Sequence, residues 1–166
     1  MALEQEIATL ETRCTRLHGH PVTLATAESA TGGGIAQRLI SAAGASAYVL
    51  GGIVSYSNEA KQSLLGVSGS TLAESGAVSE EVAIQMAEGG RRALGADVCV
   101  ADTGIAGPGG GIDGKPVGLF YIAICTPSDS RAVRVVLEAD RNANRRAAED
   151  IALTLVRDYL LQFIDS

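Results

Sequence analysis

The chain alternates between short apolar runs and segments whose apolar residues recur at helical spacing. Five of the runs are typical of β-strands, at residues 22–27, 47–56, 97–102, 117–125 and 132–137. The last two runs are separated only by a polar segment, Thr126-Pro127-Ser128-Asp129-Ser130, which is short enough to predict a hairpin.

The helical spacing, together with capping residues, predicts five helices. They span residues 3–17, 32–42, 57–66, 79–94 and 142–163. Helices separate the first three strands, whereas a turn joins the last two. This order predicts an α/β protein with a mixed five-stranded sheet that helices cover on both faces.

The second predicted strand is nearly continuous in apolar residues, and only Gly51 and Gly52 interrupt it. A strand that is apolar on both faces is typical of the interior of a sheet, so we expect it to be central. The glycine pair predicts a bulge or the close approach of another backbone.

The composition narrows the class of protein. The chain has 166 residues, of which 46% are hydrophobic and 19% charged, so we expect one compact domain over residues 1–166. A formal charge of −6 argues against a general nucleic-acid or membrane-surface binder, because both need a basic face. With no signal-peptide pattern and no apolar run of about 20 residues, we expect a cytoplasmic protein.

The cysteines and histidines do not predict a metal site. Cys14, Cys99 and Cys125 lie far apart in apolar or helical contexts, which favours buried small hydrophobes over disulfides or metal ligands. His18 and His20 end the first predicted helix, where cationic side chains interact favourably with the helix C-terminus.

Two glycine-rich turns, at residues 27–34 and 103–111, directly follow predicted strands. Turns at the carboxyl ends of strands build the ligand crevice of an open α/β sheet, so we expect one site made from both. Ser29 lies in the first turn. It could cap the following helix, or it could be a nucleophile with an oxyanion stabilised by backbone N–H groups near Gly32 and Gly33. Thr31 is equally well placed to cap, and we expect it to hold the turn.

The second turn resembles a triphosphate-binding loop, because residues 109–115 match Gly-x-x-x-x-Gly-Lys. That loop needs Ser or Thr next and must open a helix, whereas here Pro116 leads into a strand. A nucleotide triphosphatase is therefore not indicated.

A serine nucleophile needs a base, and Lys61 follows the second strand closely enough to start a helix at the same edge of the sheet. Its pKa would have to fall by roughly three units from about 10.4, which burial and a neighbouring cation would both favour. The alternative is an ordinary solvated helix residue.

Arg141 precedes the last helix, where it could grip a phosphate or carboxylate. An ion pair with Asp140 or Glu138 is the alternative.

Four longer motifs occur in order along nearly the whole chain. They are Ala27-Glu28-Ser29-Ala30-Thr31-Gly32-Gly33, Tyr56-Ser57-Asn58-Glu59-Ala60-Lys61, Gly76-Ala77-Val78-Ser79-Glu80, and Thr103-Gly104-Ile105-Ala106-Gly107-Pro108-Gly109-Gly110 with Lys115-Pro116-Val117-Gly118. Together they resemble the CinA C-terminal domain family, in its stand-alone form. Members include nicotinamide-nucleotide amidases, which hydrolyse nicotinamide mononucleotide to nicotinate mononucleotide and ammonia in pyridine nucleotide recycling.

The resemblance implies a three-layer α/β/α fold with a mixed, mostly parallel five-stranded sheet, no metal or other cofactor, and a Ser-Lys mechanism. It makes Ser29 the nucleophile and Lys61 its base, kept neutral by burial and by Arg141, with Tyr56 and Thr103 beside the reacting centre. The residues expected to bind the nucleotide are Glu28, Thr31, Gly32, Gly33, Gly104, Gly107, Gly109, Gly110 and Arg141.

The chain departs from the family pattern at two positions. Ala30 stands where the family usually has Cys, which removes a thiol that could rival Ser29. Ala139 stands where the family usually has Gly, which affects the turn before Arg141.

Two other functions stay open at this point. One is a non-catalytic nucleotide-binding regulatory module of the competence/damage-inducible type, and the other is an amidase of another small phosphorylated amide. In each case the expected partner is a small-molecule nucleotide or amide rather than a nucleic acid or a membrane. The resemblance and the apolar N-terminal helix also favour a homodimer.

Overall fold

Helices and strands alternate along most of the chain, and the computed structural model describes all of residues 1–166. The helices are α1 Leu3–His18, α2 Gly34–Ser41, α3 Asn58–Leu65, α4 Gly69–Ser75, α5 Glu80–Leu94 and α6 Arg141–Ile164, with a short 3₁₀ turn at Ala45–Ala47. The strands are β1 Leu24–Glu28, β2 Val49–Val54, β3 Val98–Gly104, β4 Leu119–Cys125 and β5 Ser130–Val136.

The five strands form one mixed sheet in the order β2-β1-β3-β4-β5. Strand β1 is parallel to both β2 and β3, whereas β4 is antiparallel to both of its neighbours, β3 and β5. Four strands therefore point one way and β4 points the other. This confirms the mixed, mostly parallel sheet and the hairpin between the last two strands.

The sheet separates two apolar cores. One core packs α1, α2 and α6 on one face, and the other packs α3 and α5 on the opposite face. Side chains of β4 alternate between the faces, with Phe120, Ile122 and Ile124 in the first core and Ala123 and Cys125 in the second, as the two-residue period of a strand requires. The three-layer prediction is confirmed, and all three cysteines are buried free thiols.

The expectation that the second strand is central is wrong, because β2 forms an edge of the sheet. Leu50 is 45% exposed and Val54 is 48% exposed. A continuous apolar run shows that both faces can be covered, but it does not show whether the strand has one neighbour or two. The glycine pair has the expected role. The pairing register shifts beside Gly51, and a Cβ on Gly52 would lie 2.4 Å from Thr26 Oγ1.

Serine caps set the start of the helices on the second face of the sheet. Ser57 and Ser79 accept hydrogen bonds from the backbone N–H groups of Ala60 and Val82, as the sequence indicates. Helix α4 was not predicted. It begins after a similar cap at Ser68 but contributes no buried residue, so it lacks the apolar stripe that marks the other helices. None of the helices is both long and apolar enough to cross a bilayer.

Candidate active site

Ser29 lies at the carboxyl end of β1, in a turn that a buried carboxylate holds from below. Its backbone N–H donates to Asp102 Oδ1 at 3.1 Å, and the N–H of Thr31 donates to Asp102 Oδ2 at 3.2 Å. Asp102 is on β3, which neighbours β1 in the sheet, so the sheet register fixes the turn. Ser29 itself is 8% exposed.

Glu28 caps the helix that follows the turn. One carboxylate oxygen accepts the N–H groups of Gly33 at 2.9 Å and Ile35 at 3.0 Å, and the other accepts the N–H of Ala36 at 2.8 Å. A carboxylate at a helix N-terminus is stabilised by the free N–H groups and by the helix dipole. Because Glu28 is fully buried, the expectation that it contacts the nucleotide is corrected to a role in holding α2.

The same contacts correct two further expectations. Thr31 is fully buried, and its hydroxyl lies between the Glu28 and Asp102 carboxylates, so it holds the turn as expected, whereas the expectation that it binds the nucleotide is corrected. The N–H of Gly33 is occupied by Glu28 and is not free for an oxyanion. Gly32 and Gly33 line a separate hollow of about 390 Å³, which shares no lining residue with the cavity at Ser29.

Lys61 is brought to Ser29 by α3, which starts after β2 at the same edge of the sheet. Its Nζ lies 2.9 Å from Ser29 Oγ, 2.8 Å from the carbonyl oxygen of Ser55 and 3.4 Å from that of Tyr56. The side chain is only 1% exposed. A neutral amine has two N–H groups and one lone pair. With the two carbonyls accepting both N–H groups, the lone pair is left to accept the Ser29 proton.

Burial lowers the pKa of Lys61 from its ordinary value of 10.5, whereas the charge of Asp102 raises it. Burial disfavours the charged ammonium, and the lowered pKa is what a lysine base requires. Arg141 does not contribute to the lowered pKa, so the expected help from a neighbouring cation is corrected to burial alone.

Ser29 and Lys61 open onto a cavity of about 180 Å³. It is lined by Ser29, Ala30, Tyr56, Asn58, Lys61, Ala77, Val78, Thr103, Gly104, Ala106 and Arg141. The Thr103 hydroxyl donates to the carbonyl of Ala77 at 2.8 Å, which ties β3 to the segment before α5. Tyr56 is 66% exposed and stands at the rim. The structure thus brings together all four residues predicted to be catalytic.

Arg141 lies at the mouth of this cavity. One of its guanidinium nitrogens donates to the carbonyl of Gly107 at 2.8 Å, and another lies 3.4 Å from the Tyr56 hydroxyl. Asp140 caps α6 by accepting the N–H of Ala143, and neither Asp140 nor Glu138 pairs with Arg141. The guanidinium therefore has no carboxylate partner.

The second glycine turn reaches the site only in part. Gly104 lines the cavity, and a Cβ there would lie 2.4 Å from the Phe120 ring. Gly107 and Arg141 line an adjoining hollow of about 620 Å³. Gly109 and Gly110 are exposed and line neither space, so the structure does not bring them to the site.

Sequence reasoning missed several residues that build the site. Asp102 is a carboxylate next to Thr103 in an otherwise apolar predicted strand. A charged residue at such a position indicates a role beyond packing in the core. Asn144 and Arg145 could not be identified as residues that hold the loops of the site, because the periodicity of a helix does not show which loops its side chains contact. Arg145 donates to the carbonyls of Ala30 and Thr31, and Asn144 donates to those of Ala106 and Ala139.

A backbone donor next to Ser29 in the cavity has no partner. The N–H groups of Ala30 and Gly32 make no hydrogen bond, and of these two residues only Ala30 lines the cavity beside Ser29. In several hydrolases the residue after the nucleophile supplies an oxyanion donor, and Ala30 holds that position here.

The side chain of Asn144 binds both the N–H and the carbonyl group of Ala139. No residue other than glycine has a positive φ, so the turn before Arg141 accommodates Ala in place of Gly.

No group of three or more His, Cys, Asp or Glu side chains is placed to hold a metal ion.

Comparison with known proteins gives consistent matches. Residues 7–160 match the CinA C-terminal domain. A CinA-like protein of Chloroherpeton thalassium is 46% identical over 164 residues, which is 96% of this chain and 38% of the relative. A CinA-like protein of Citrifermentans bemidjiense is 49% identical over 84% of this chain and 34% of its own length. The chain thus spans about a third of the curated relatives it matches.

Solved structures match over nearly their whole length. The competence/damage inducible protein CihA from Agrobacterium tumefaciens has a TM-score of 0.85 and 40% identity, covering 93% of both chains. A CinA superfamily protein from Enterobacter cloacae has a TM-score of 0.87 and 31% identity, covering 96% of this chain and 93% of its own. Sequence and fold agree, and the chain belongs to the CinA C-terminal domain family.

Proposed function

We propose that this protein is a nicotinamide-nucleotide amidase that hydrolyses the carboxamide of nicotinamide mononucleotide by a Ser-Lys mechanism. The observation that carries the proposal is the buried lysine amine 2.9 Å from a serine hydroxyl at the floor of a cavity. A pure binding module has no need for a buried lysine whose pKa is lowered. The substrate is proposed from the family resemblance together with the unpaired Arg141 at the cavity mouth.

The first half of the reaction forms an acyl-enzyme. Neutral Lys61 accepts the Ser29 proton while Oγ attacks the carboxamide carbon, and the carbonyl oxygen gains negative charge beside the free N–H of Ala30. The tetrahedral intermediate then collapses. Lys61 returns the proton to the amide nitrogen, the C–N bond breaks and ammonia leaves.

The second half regenerates the serine. A water molecule attacks the ester carbon and gives its proton to Lys61, which passes it to Ser29 Oγ as the C–O bond breaks. The products are the nicotinate carboxylate and ammonium, so one water is consumed for each amide. Every proton moves through the single amine of Lys61, and no other base lies within hydrogen-bond distance of Ser29 Oγ.

The shape of the site fits a substrate with a small reacting end and an anionic far end. Ligand pockets usually measure about 300–1,000 Å³, and the cavity of about 180 Å³ is enough for the aromatic amide but not for a whole nucleotide. The adjoining hollow of about 620 Å³ extends the site past Arg141. Arg141 borders both spaces, which supports a role in binding the phosphate of a substrate whose amide faces Ser29.

The test is to incubate the purified protein with nicotinamide mononucleotide, without added metal, and to measure nicotinate mononucleotide and ammonia. We expect equal amounts of the two products, and no turnover above background with Ser29→Ala. A Ser29→Ala protein with wild-type ammonia release would contradict the mechanism. Nucleotide affinity without ammonia release would instead indicate a binding module, and turnover of a different phosphorylated amide would replace the substrate.

A further inference from the structure

Asp102 is a buried carboxylate with no cationic partner. It is fully buried at the end of β3, and no lysine or arginine lies within ion-pair distance of it. Its contacts are the N–H groups of Ser29 and Thr31 and the hydroxyl of Thr31. An unpaired buried charge is costly, so its position beneath the nucleophile calls for an explanation.

Ser29 connects Asp102 to Lys61. The serine donates its backbone N–H to Asp102 Oδ1 at 3.1 Å, and its Oγ lies 2.9 Å from Lys61 Nζ. The carboxylate and the amine therefore contact the same residue, one at its backbone N–H and the other at its hydroxyl, and both are shielded from solvent. Coulomb interactions between buried groups are screened much less than those at a surface.

The other charged groups around Lys61 make no hydrogen bond to its amine. Glu28 faces Thr31 from β1 and already accepts four other donors, while Arg141 stands at the exposed mouth on α6. On α5, Arg92 donates to the carbonyl of Leu65, and Glu59 on the same helix as Lys61 is exposed. Among all of these, Asp102 is the group whose charge changes the pKa of Lys61.

The Thr31 hydroxyl is hydrogen-bonded to Asp102 and favours the ionised form of this carboxylate. Thr31 Oγ1 lies 2.5 Å from Asp102 Oδ1 and 2.6 Å from Glu28 Oε2, but it has one hydrogen and can donate to only one carboxylate at a time. Burial raises the pKa of Asp102 to about 6, while the hydrogen bonds from Thr31 and Ser29 oppose that rise. Asp102 is therefore ionised above about pH 6.

We propose that Asp102 is a positioning residue for the Ser29–Lys61 pair. It fixes the backbone of Ser29, and its negative charge stabilises the ammonium that Lys61 becomes on taking the Ser29 proton. This inference rests on the proposed Ser-Lys mechanism but not on the identity of the substrate. It assigns Asp102 an electrostatic role in addition to its hydrogen bonds.

The test uses methanesulfonyl fluoride, a small reagent that labels an activated serine without needing the nucleotide. Ser29 Oγ forms a bond to sulfur, fluoride leaves, and the Ser29 proton goes to Lys61. The labelling rate, measured by mass spectrometry from pH 6 to pH 10.5, follows the fraction of neutral Lys61. In Asp102→Asn the pKa of Lys61 falls. We therefore expect the acid limb of the pH–rate profile, which is the range where the labelling rate rises with pH, to move about one unit to lower pH.

The rate above the limb should also change. A less basic Lys61 is a weaker proton acceptor, so we expect the plateau rate in Asp102→Asn to fall about threefold. Asp97→Asn is the matched control. Asp97 also accepts a backbone N–H and a threonine hydroxyl, but from Thr23 at the other end of the sheet, and its loss should leave the limb at the wild-type pH.

Each outcome decides the proposal. A folded Asp102→Asn protein with an unmoved acid limb would overturn it, because a purely structural carboxylate changes rate and stability without moving the limb. If Asp102→Asn does not fold, Asp102→Ser removes the same charge with a smaller side chain and should move the limb in the same direction. An unmoved limb in a folded Asp102→Ser protein would then overturn it.

The same experiment separates this inference from the proposed function. A limb that moves as expected in a protein that does not hydrolyse nicotinamide mononucleotide supports the role of Asp102 and rejects only the substrate. Lys61→Met should abolish labelling at every pH. Wild-type labelling of Lys61→Met would overturn both the role of Asp102 and the Ser-Lys mechanism.

Discussion

At the scale of single residues, the site depends on a lysine that is shielded from solvent. Two backbone carbonyls orient its amine, and burial lowers the pKa of Lys61 from 10.5. The neutral form is the working form, so activity should rise with pH as the ammonium loses its proton. The limb must lie below the pH at which a solvated lysine titrates.

Lys61→Arg tests this requirement for a neutral amine. A guanidinium stays protonated at every accessible pH and cannot accept the Ser29 proton, so we expect turnover to fall by at least about a thousandfold at all pH values. The measurement is kcat/KM for nicotinamide mononucleotide from pH 6 to pH 10.5. Far-ultraviolet circular dichroism checks the fold. Activity that recovered at high pH in Lys61→Arg would point to a different base.

At the scale of elements, the position of Lys61 depends on how closely α3 packs on α5. Gly89 lies in α5 against the end of α3, and a Cβ on it would come 1.9 Å from the carbonyl oxygen of Leu65. The obstacle is backbone, so no rotation of a side chain relieves it. The absent side chain of Gly89 thus lets α3 lie where Lys61 reaches Ser29.

Gly89→Ala should therefore destabilise the protein, although alanine has a higher helix propensity than glycine. Alanine in a helix interior is normally favoured over glycine by about 1 kcal/mol, but here we expect a loss of about 1–3 kcal/mol from overpacking and a lower kcat. Urea unfolding and steady-state kinetics measure the two effects. Glu88→Ala, at the neighbouring exposed position, should change neither. A more stable and fully active Gly89→Ala protein would show that α3 and α5 separate without affecting the site.

Elements were also the level at which the sequence was most informative. Apolar spacing locates all five strands because each packs apolar side chains against at least one of the two cores. Ser57 and Ser79 mark helix starts by a local hydrogen bond. The edge position of β2 could not be predicted, because strand order depends on which strands pair, and that is decided by contacts distant in sequence. Helix α4 has no buried side chain and so leaves no periodic signal.

At the scale of the whole molecule, the site forms where β1 and β3 end side by side and α3 begins. The proximity of Ser29 and Lys61 follows from this topology. Residue patterns indicate that both residues lie at the same edge of the sheet, but only the family motifs predict that they act as a pair. The motifs did not distinguish side chains that face a ligand from those that build the turn, so Glu28 and Thr31 were assigned to substrate although both are fully buried.

Stability as a function of pH gives a test of the buried carboxylate that is independent of catalysis. The pKa of Asp102 is about 6 in the folded protein and about 3.8 when solvated, so between these values the folded state binds the proton that the unfolded state has lost. The stabilisation by this group is complete below about pH 3.8 and is lost as the pH rises through about 6. A difference of about two pKa units corresponds to about 3 kcal/mol.

Asp102→Asn removes this titration, while all other carboxylates remain. We therefore expect the free energy of unfolding of the wild type, relative to Asp102→Asn, to fall by about 2.5 kcal/mol between pH 4 and pH 7. Urea unfolding at several pH values in this range measures the difference. Asp97→Asn provides the comparison, because it removes a hydrogen-bonded carboxylate at the other end of the sheet. Wild-type and Asp102→Asn curves that run parallel would mean that Asp102 keeps an ordinary pKa, and its charge would then be balanced by the hydrogen bonds of the Ser29 turn.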